Sequence, residues 1–327
     1  MNLVQHAWQL GDLTFSHRLI QGPLAGVSAS PFRRLFARYL RPAYCVSEMI
    51  SANDVVHKLK ASHRWLHRDP LEEVLAYQLS GIDPEIMAQA ARICVALGGD
   101  IIDINAGCPK PKIRSKGAGS ALLETPQRLF NVVGAVRDAI TCPLTVKIRL
   151  TDQDEQNLDI ALKLADLGID ALIVHGREHG HDYDVSCQYD RIDFIRQRLS
   201  IALIVNGDIH HEDSLRSAMM GCPADAYMIS RAGTGQPWLF QALLKGRPDI
   251  SLNDWLGLWH EHLEALMQLE GEHTTLFQSR RLLKYYLKSL QRLACCPKDL
   301  DVNEILLSYY RASNFHEAHK ILASYLG

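Results

Sequence analysis

The stretch ALIVHGREHGHDYDVSCQYDRIDFIRQRLSIALIVNGD (171–208) holds two apolar, β-branched runs, ALIVHG and ALIVNGD, with a helical pattern between them at 189–200. Similar runs recur along the chain: HRLIQGPL (17–24), AYCVSEM (43–49), VLAYQLS (74–80), DIIDINAG (100–107), LTVKIRL (144–150) and AYMISRAG (226–233). Most lack apolar/polar alternation, as expected of strands covered on both faces in a parallel sheet. Helical patterns fill many of the gaps, at 30–40, 84–98, 125–140, 157–168 and 212–221. Asp83-Pro84 and Thr125-Pro126 read as N-terminal caps, Gly98 and Gly168 as C-terminal stops. Eight strands alternating with helices predict an α/β fold, a (β/α)8 TIM barrel, with an open doubly wound sheet as the competing arrangement. Polar residues at the strands' C-terminal ends favour the barrel, because there such ends converge on one mouth: Gln78, Asn105, Lys147, His175, Asn206 and Arg231.

Beyond about residue 243 the strand pattern stops. Helical patterns follow at 252–271, 275–294, 302–312 and 315–326. The expected division is a catalytic barrel over 1–242 and a small all-α helical bundle over 243–327.

The chain has 327 residues, a formal net charge of −2 and eight cysteines. No CxxC pair occurs, which argues against a disulfide framework or zinc ribbon and for reduced thiols in a cytoplasmic protein. Cys295 and Cys296 read as buried thiols. The start has no basic region leading into an apolar core, so no secretory signal is expected. No apolar run approaches the ~20 residues of a membrane span, so no membrane partner is expected. HGREHGHD (175–182) is rich in histidine, but no second cluster completes a ligand set, and no metal is expected.

Three features carry chemistry. Lys147 lies inside a barrel strand, where an unpaired ammonium is costly; it suits the negative N1/O2 edge of a reduced flavin, with an ion pair to Asp103 as the structural alternative. VNGD (205–208) and ISRAGTG (229–235) end the seventh and eighth strands, where barrels commonly bind phosphate, and His175 shares their mouth. Cys108, in DINAGCPK, stands at a strand end without a local histidine to make it a nucleophile. An ordinary thiol, pKa about 8.5, is mostly protonated at neutral pH and can act as a proton donor.

Positive charge is clustered despite the near-neutral sum. KPKIRSK (110–116) follows the thiol, and residues 274–297 hold five bases and no acid. Arg281, Lys284, Lys288 and Arg292 fall on one helix face. A third cluster, HKLKASHRWLHR (57–68), lies between the second and third strands. One-sign patches beside a reactive thiol point to a polyanion such as RNA.

GPLAGVSASPFR (22–33), YQLSG (77–81), DINAGCPKPK (103–112), VKIRL (146–150), VHGRE (174–178), VNGDI (205–209) and ISRAGTGQPWLF (229–240) together resemble the tRNA-dihydrouridine synthases. The tail SRRLLKYYLKSL resembles that family's tRNA-binding domain. The resemblance implies an FMN enzyme, a monomer, that uses NADPH (or NADH) to reduce a tRNA uridine to dihydrouridine. It places Pro23, Leu24 and Ala25 along the isoalloxazine and Gln78 at its polar edge. Lys147 then faces N1/O2, and His175 with Asn206, Gly207, Asp208, Ser230 and Arg231 holds the phosphate end. Cys108 matches the catalytic cysteine, which protonates C5 after hydride reaches C6. Glu48, Asn105 and Arg149 match positions near the base; Lys110, Lys112, Arg281, Lys284 and Lys288 are candidate tRNA contacts. Uridine 16 of the D loop is favoured, with uridine 17 next. Leu24 replaces the family's Met, Ser28-Ala29 its Thr-Asp, and Ser230 its Gly. The competing functions are a flavin dehydrogenase of free pyrimidines, of dihydroorotate type, and a non-catalytic tRNA-binding protein.

Overall fold

The computed structural model describes residues 2–60, 63–180 and 184–326. Its strands are β1 (Trp8–Leu10), β2 (Leu13–Phe15), β3 (Leu19–Gln21), β4 (Cys45–Val46), β5 (Ile50–Ser51), β6 (Leu75–Ser80), β7 (Ile101–Ala106), β8 (Leu144–Leu150), β9 (Ala171–Glu178), β10 (Ala202–Asn206) and β11 (Ala226–Ile229). β3 to β11 form one parallel sheet that closes on itself, β3 pairing both β11 and β4, and β4 pairing β6. β4 and β5 both pair β6 and are two pieces of one staff, so the barrel has the eight positions expected. Between them the Ser47 hydroxyl takes the Gln78 amide, 3.0 Å away, and a side chain replaces a rung of the ladder.

Alternate residues of each buried strand serve different cores. Leu144, Val146 and Ile148 of β8, and Ile102 and Ile104 of β7, belong to the large cluster between sheet and helices. Their neighbours face the barrel axis. There the lower layers are apolar (Ile20, Val46, Ala76, Ile101, Ala171, Ile173, Ile204, Met228), sealed below by Trp8, Leu10 and Phe15 of the β1–β2 hairpin. The upper inward positions are polar: Gln78, Asp103, Asn105, Lys147, Arg149, His175 and Asn206, all under 10% exposed. A β-strand's period of two, read layer by layer, thus separates a dry plug from a polar mouth.

Helices span Pro84–Ala96, Pro126–Ala139, Asp154–Asp166, Tyr189–Arg196 and Glu212–Gly221, close to the expected ranges. Asp83 caps its helix through Glu85 and Ile86 N–H, whereas Thr125 makes no side-chain cap bond; its hydroxyl donates to Ala121 O instead. Gly98 and Gly168 follow helix ends at φ +90° and +79°.

The tail forms helices Leu239–Lys245, Leu252–Glu270, Glu272–Leu290, Val302–Arg311 and Phe315–Leu326. Tyr286 is its hub: its ring lies 4.9 Å from that of Trp259, and its carbonyl accepts from Trp255 Nε1. The tail's core is continuous with the barrel's through Phe36 against Phe240 and Phe32 against His262. His262 is wholly buried and bonded to the Tyr286 hydroxyl at 2.9 Å, and burial lowers its pKa from 6.5 to about 3. Below pH 6.5 the unfolded chain therefore binds a proton that the folded chain refuses. Stability is expected to fall as pH drops from about 6.5 towards 3, and His262→Gln to flatten that fall by one proton, as read by melting temperature against pH.

Among the described residues no helix is long and apolar enough to cross a membrane. All eight cysteines are free, and Cys295 and Cys296 are half-buried rather than buried.

Candidate functional site

The barrel mouth opens into a cavity of about 660 Å3 whose far wall is the helix Glu272–Leu290. Seventeen sequence-designated residues line it together: Pro23, Leu24, Ala25, Gln78, Asn105, Cys108, Lys110, Lys147, Arg149, His175, Asn206, Gly207, Asp208, Ser230, Arg231, Arg281 and Lys288. Lys112 and Lys284 are exposed but are not wall residues; they stand on the thiol loop and on the basic helix. Glu48 is also outside the wall. It is 3% exposed and its oxygens are taken by Gly26 N–H (2.6 Å) and Arg64 Nη2 (2.8 Å), so its neighbour Met49 reaches the cavity instead.

A buried chain of hydrogen bonds sets the thiol. Asp103, with no exposed surface, accepts from Thr145 Oγ1 (2.6 Å) and Gln78 Nε2 (2.7 Å). Gln78 Oε1 accepts from Asn105 Nδ2 (2.8 Å), and Asn105 Oδ1 accepts from the Cys108 amide (2.9 Å). The Cys108 carbonyl accepts from Ser120 N–H at 3.0 Å, so the loop is held on both sides of the sulfur. Each amide orientation is dictated by the next, and the whole chain hangs on one carboxylate. The sequence offers Asp103 only as an ion-pair partner for Lys147; nothing in DIIDINAG signals this second task.

Lys147 makes no hydrogen bond or ion pair with a described residue; the Asp103 oxygens serve Thr145 and Gln78. Lys147 and Asp103 therefore form no contact pair, although each charge acts on the other. Burial holds Lys147 below the ordinary lysine value, with the Asp103 charge opposing that shift and Arg149 adding to it. Burial pushes Asp103 up, against its hydrogen bonds and the Lys147 charge.

On the neighbouring strand β9 Arg177, 1% exposed, donates Nη2 to both Asp208 oxygens (2.7 and 2.8 Å) and Nη1 to His175 Nε2 (3.2 Å). An arginine only donates, so the His175 proton sits on Nδ1. Burial, then Lys147, Arg149, Arg177 and Arg231, drive the His175 pKa far below 6.5, and the ring is neutral. For Asp208, burial acts upward, but the Arg177 and Cys187 hydrogen bonds outweigh it and hold the carboxyl below its usual range. Asp208 is the one non-glycine residue of positive φ (+52°) among those described, next to Gly207 at +117°. A Cβ on Gly207 would stand 2.2 Å from Cys187 Sγ, so only glycine fits. The peptide N–H groups of Gly207 and Asp208 have no acceptor among the described residues. A buried ammonium with no carboxylate in contact and open amides on a glycine turn fit a group with an anionic ring edge and a phosphate. Arg177 was missed because a buried arginine cannot be told from an exposed one in VHGRE.

Two of the three departures from the family pattern are accommodated by hydrogen bonds and packing. Ser28 Oγ accepts from Leu24 N–H (2.9 Å) and the Gly26 amide is held by Glu48, so the loop is ordered without a carboxylate at position 29. Ser230 Oγ occupies space that a Cβ on Gly22 would invade, at 2.5 Å, and receives Asn206 Nδ2 at 3.4 Å.

The basic clusters sort unequally. Lys110, Lys112, Lys116, Arg281, Lys284, Lys288 and Arg292 are exposed, whereas Arg280 turns aside to donate to Ala312 O. The cluster at 57–68 is largely neutralised, a correction to its reading as a one-sign patch: Lys58 pairs Asp54, Arg68 pairs Asp100, and Arg64 pairs both Glu48 and Glu270. Ala61 and Ser62 of that stretch, and His181 and Asp182 of HGREHGHD, lie outside the described residues. Among the described residues no group of three or more His, Cys, Asp or Glu could hold a metal ion.

A family model described as "Dihydrouridine synthase (Dus)" matches residues 20–300, from the first barrel strand through the basic helix. The chain belongs to the dihydrouridine synthase family. It is 36% identical over 289 residues to tRNA-dihydrouridine synthase B of Vibrio vulnificus, covering 86% of this chain and 89% of that protein. It is 37% identical over 294 residues to the enzyme of the same name from Pseudomonas syringae pv. tomato, covering 87% and 86%. A probable tRNA-dihydrouridine synthase 1 of Synechocystis matches at 35% over 300 residues, covering 89% and 84%. Solved structures share the fold alone. Histamine dehydrogenase from Rhizobium sp. 4-9 superposes with a TM-score of 0.57 at 12% identity, over 79% of this chain and 51% of that one. The chain thus spans about half the length of that enzyme. As a family member the protein is an oxidoreductase that forms dihydrouridine.

Proposed function

We propose that the protein reduces the C5–C6 double bond of a D-loop uridine in tRNA, uridine 16 before uridine 17, with FMN as cofactor, NADPH as reductant and Cys108 as general acid. The observation that carries this reading is the shared cavity: strand-end residues suited to a flavin and the basic face of a helix suited to a nucleic acid line one space. The relatives' names supply tRNA as the substrate class. Bound in the mouth, FMN would supply the hydride that reaches uracil C6, renewed by NADPH.

The chain's own residues do the rest. Lys147 brings a fixed positive charge to the ring edge, and Gln78, its amide oriented by Asp103, offers its remaining N–H there. The Gly207 and Asp208 amides, neutral His175 through Nδ1–H, and the Ser230–Arg231 turn hold the phosphate. Asn105 keeps the Cys108 loop in place, and Cys108 Sγ–H gives its proton to uracil C5 and recovers one from water. A uridine must leave its stack to reach this depth; Arg149 meets it, while Lys110, Lys112, Arg281, Lys284 and Lys288 hold phosphates outside. Glu48 acts at one remove, fixing the Leu24–Ser28 loop through Gly26. In this reading residues 1–242 are the catalytic barrel and 243–327 the tRNA-binding domain of a cytoplasmic monomer.

Mapping dihydrouridine in native tRNA from cells without this protein tests the reading. Loss of the modification at position 16, restored by the protein, is the expected result; an unchanged D loop in every tRNA would overturn it.

A further inference from the structure

The helix Glu272–Leu290 turns one ring to the cavity. Tyr285 stands about one turn from Arg281 and one from Lys288, and all three are wall residues. Among the described residues of the wall it is the one with a six-membered aromatic ring. Its neighbour Tyr286 is fully buried and bonded to His262. Tyr285 is half-buried, and with the described residues it forms neither a hydroxyl hydrogen bond nor a ring contact. A half-buried amphipathic ring at a cavity wall with no polar partner leaves a surface for a ligand.

The backbone fixes where that ring sits. Gly235, at φ +74°, touches the helix so closely that a Cβ there would stand 2.8 Å from Tyr286 Cα and 3.1 Å from the Tyr285 carbonyl carbon. Ser289 Oγ donates to Gly235 O at 2.6 Å, one turn along. Near the other end Arg281 lies over Gly26, where a Cβ would meet its Nη1 at 2.5 Å. The barrel rim and the helix are therefore in register at residues 281–289, and Tyr285 is held at the mouth between two exposed cations.

We infer that Tyr285 is the stacking platform for a tRNA base next to the target uridine, with Arg281 and Lys288 on the flanking phosphates, and that it governs which uridine enters. This rests on the proposed function. Extruding one uridine leaves its neighbour without a stacking partner, and an aromatic side chain replaces that partner whatever the base.

The test compares tRNA affinity, KM, kcat and modified position for the FMN-loaded protein and its Tyr285→Ala, Tyr285→Phe and Tyr285→Trp variants. Tyr285→Ala is expected to weaken tRNA binding by about 5- to 150-fold, the span of base–aromatic stacking. KM should rise more than kcat falls, and the modification should spread to a second uridine. Tyr285→Phe and Tyr285→Trp should restore both. The salt dependence of binding should keep its slope in Tyr285→Ala, since no phosphate contact is lost, and become shallower in Lys288→Ala. Tyr285→Phe falling as far as Tyr285→Ala would overturn the inference, because the hydroxyl and not the ring would then be at work. Slower flavin reduction by NADPH in Tyr285→Ala, with tRNA affinity intact, would also overturn it and assign the ring to the nicotinamide. Unaltered tRNA binding in Tyr285→Ala overturns this inference alone; no tRNA binding by the unsubstituted protein overturns the proposed function with it.

Discussion

Cys108→Ala is expected to lower the rate of tRNA reduction by about 10²–10⁴-fold, the usual contribution of a positioned general acid. NADPH oxidation by the flavin-loaded variant and its affinity for tRNA should stay within a factor of about two of the unsubstituted protein. The separation follows from the geometry. The thiol sits on a loop over the mouth, held by its amide to Asn105 and its carbonyl to Ser120, and both bonds are made by backbone atoms that alanine keeps. The substitution removes the proton and little else. Single-turnover kinetics with unmodified tRNA checks it. A loss equal in both half-reactions would mean that the loop had moved and that Cys108 had been structural.

Lys147→Met is expected to slow flavin reduction by NADPH by about 10²–10³-fold, the size of effect when a preorganised charge is removed from a dry site. The potential of the bound flavin should become more negative. The fold should not suffer. Lys147 is 9% exposed and carries no counter-ion in contact, so its charge is a cost to folding that methionine removes. Asp103 loses a favourable charge at a distance but keeps Thr145 and Gln78 as donors. The melting temperature should therefore hold or rise while activity collapses, and a large drop in melting temperature would show that Lys147 was serving the fold.

Much of the barrel was legible because its outward positions are aliphatic without exception in strands such as LTVKIRL, where Leu144, Val146 and Ile148 face the helices. Of the inward positions Lys147 was legible as part of a site because polar residues accumulate at strand ends, Arg149 only through the family resemblance, and Thr145 not at all. The N-terminal hairpin escaped notice although its signal is present: Trp8-x-Leu10 and Leu13-x-Phe15 alternate about the Gly11-Asp12 turn, with Gly11 at φ +56°. Pairings between distant segments had no signal. Arg64 reads as part of a basic cluster, and nothing local reveals Glu48 beside it or Glu270 from the tail. The same limit hid the shared wall, since Tyr285 in KYYLKSL looks like half of a buried pair until Gly235 shows which tyrosine faces the mouth.

The most direct test of a mouth shared by flavin and tRNA is a competition of electron acceptors. The flavin-loaded protein is reduced by one equivalent of NADPH without oxygen and mixed with unmodified tRNA, free uridine or dihydroorotate's oxidised partner. Reoxidation by tRNA alone, with one dihydrouridine appearing in the D loop per flavin, is the predicted result. Reoxidation by the free pyrimidines at the same rate, with tRNA inert, would contradict it and make the basic helix a bystander.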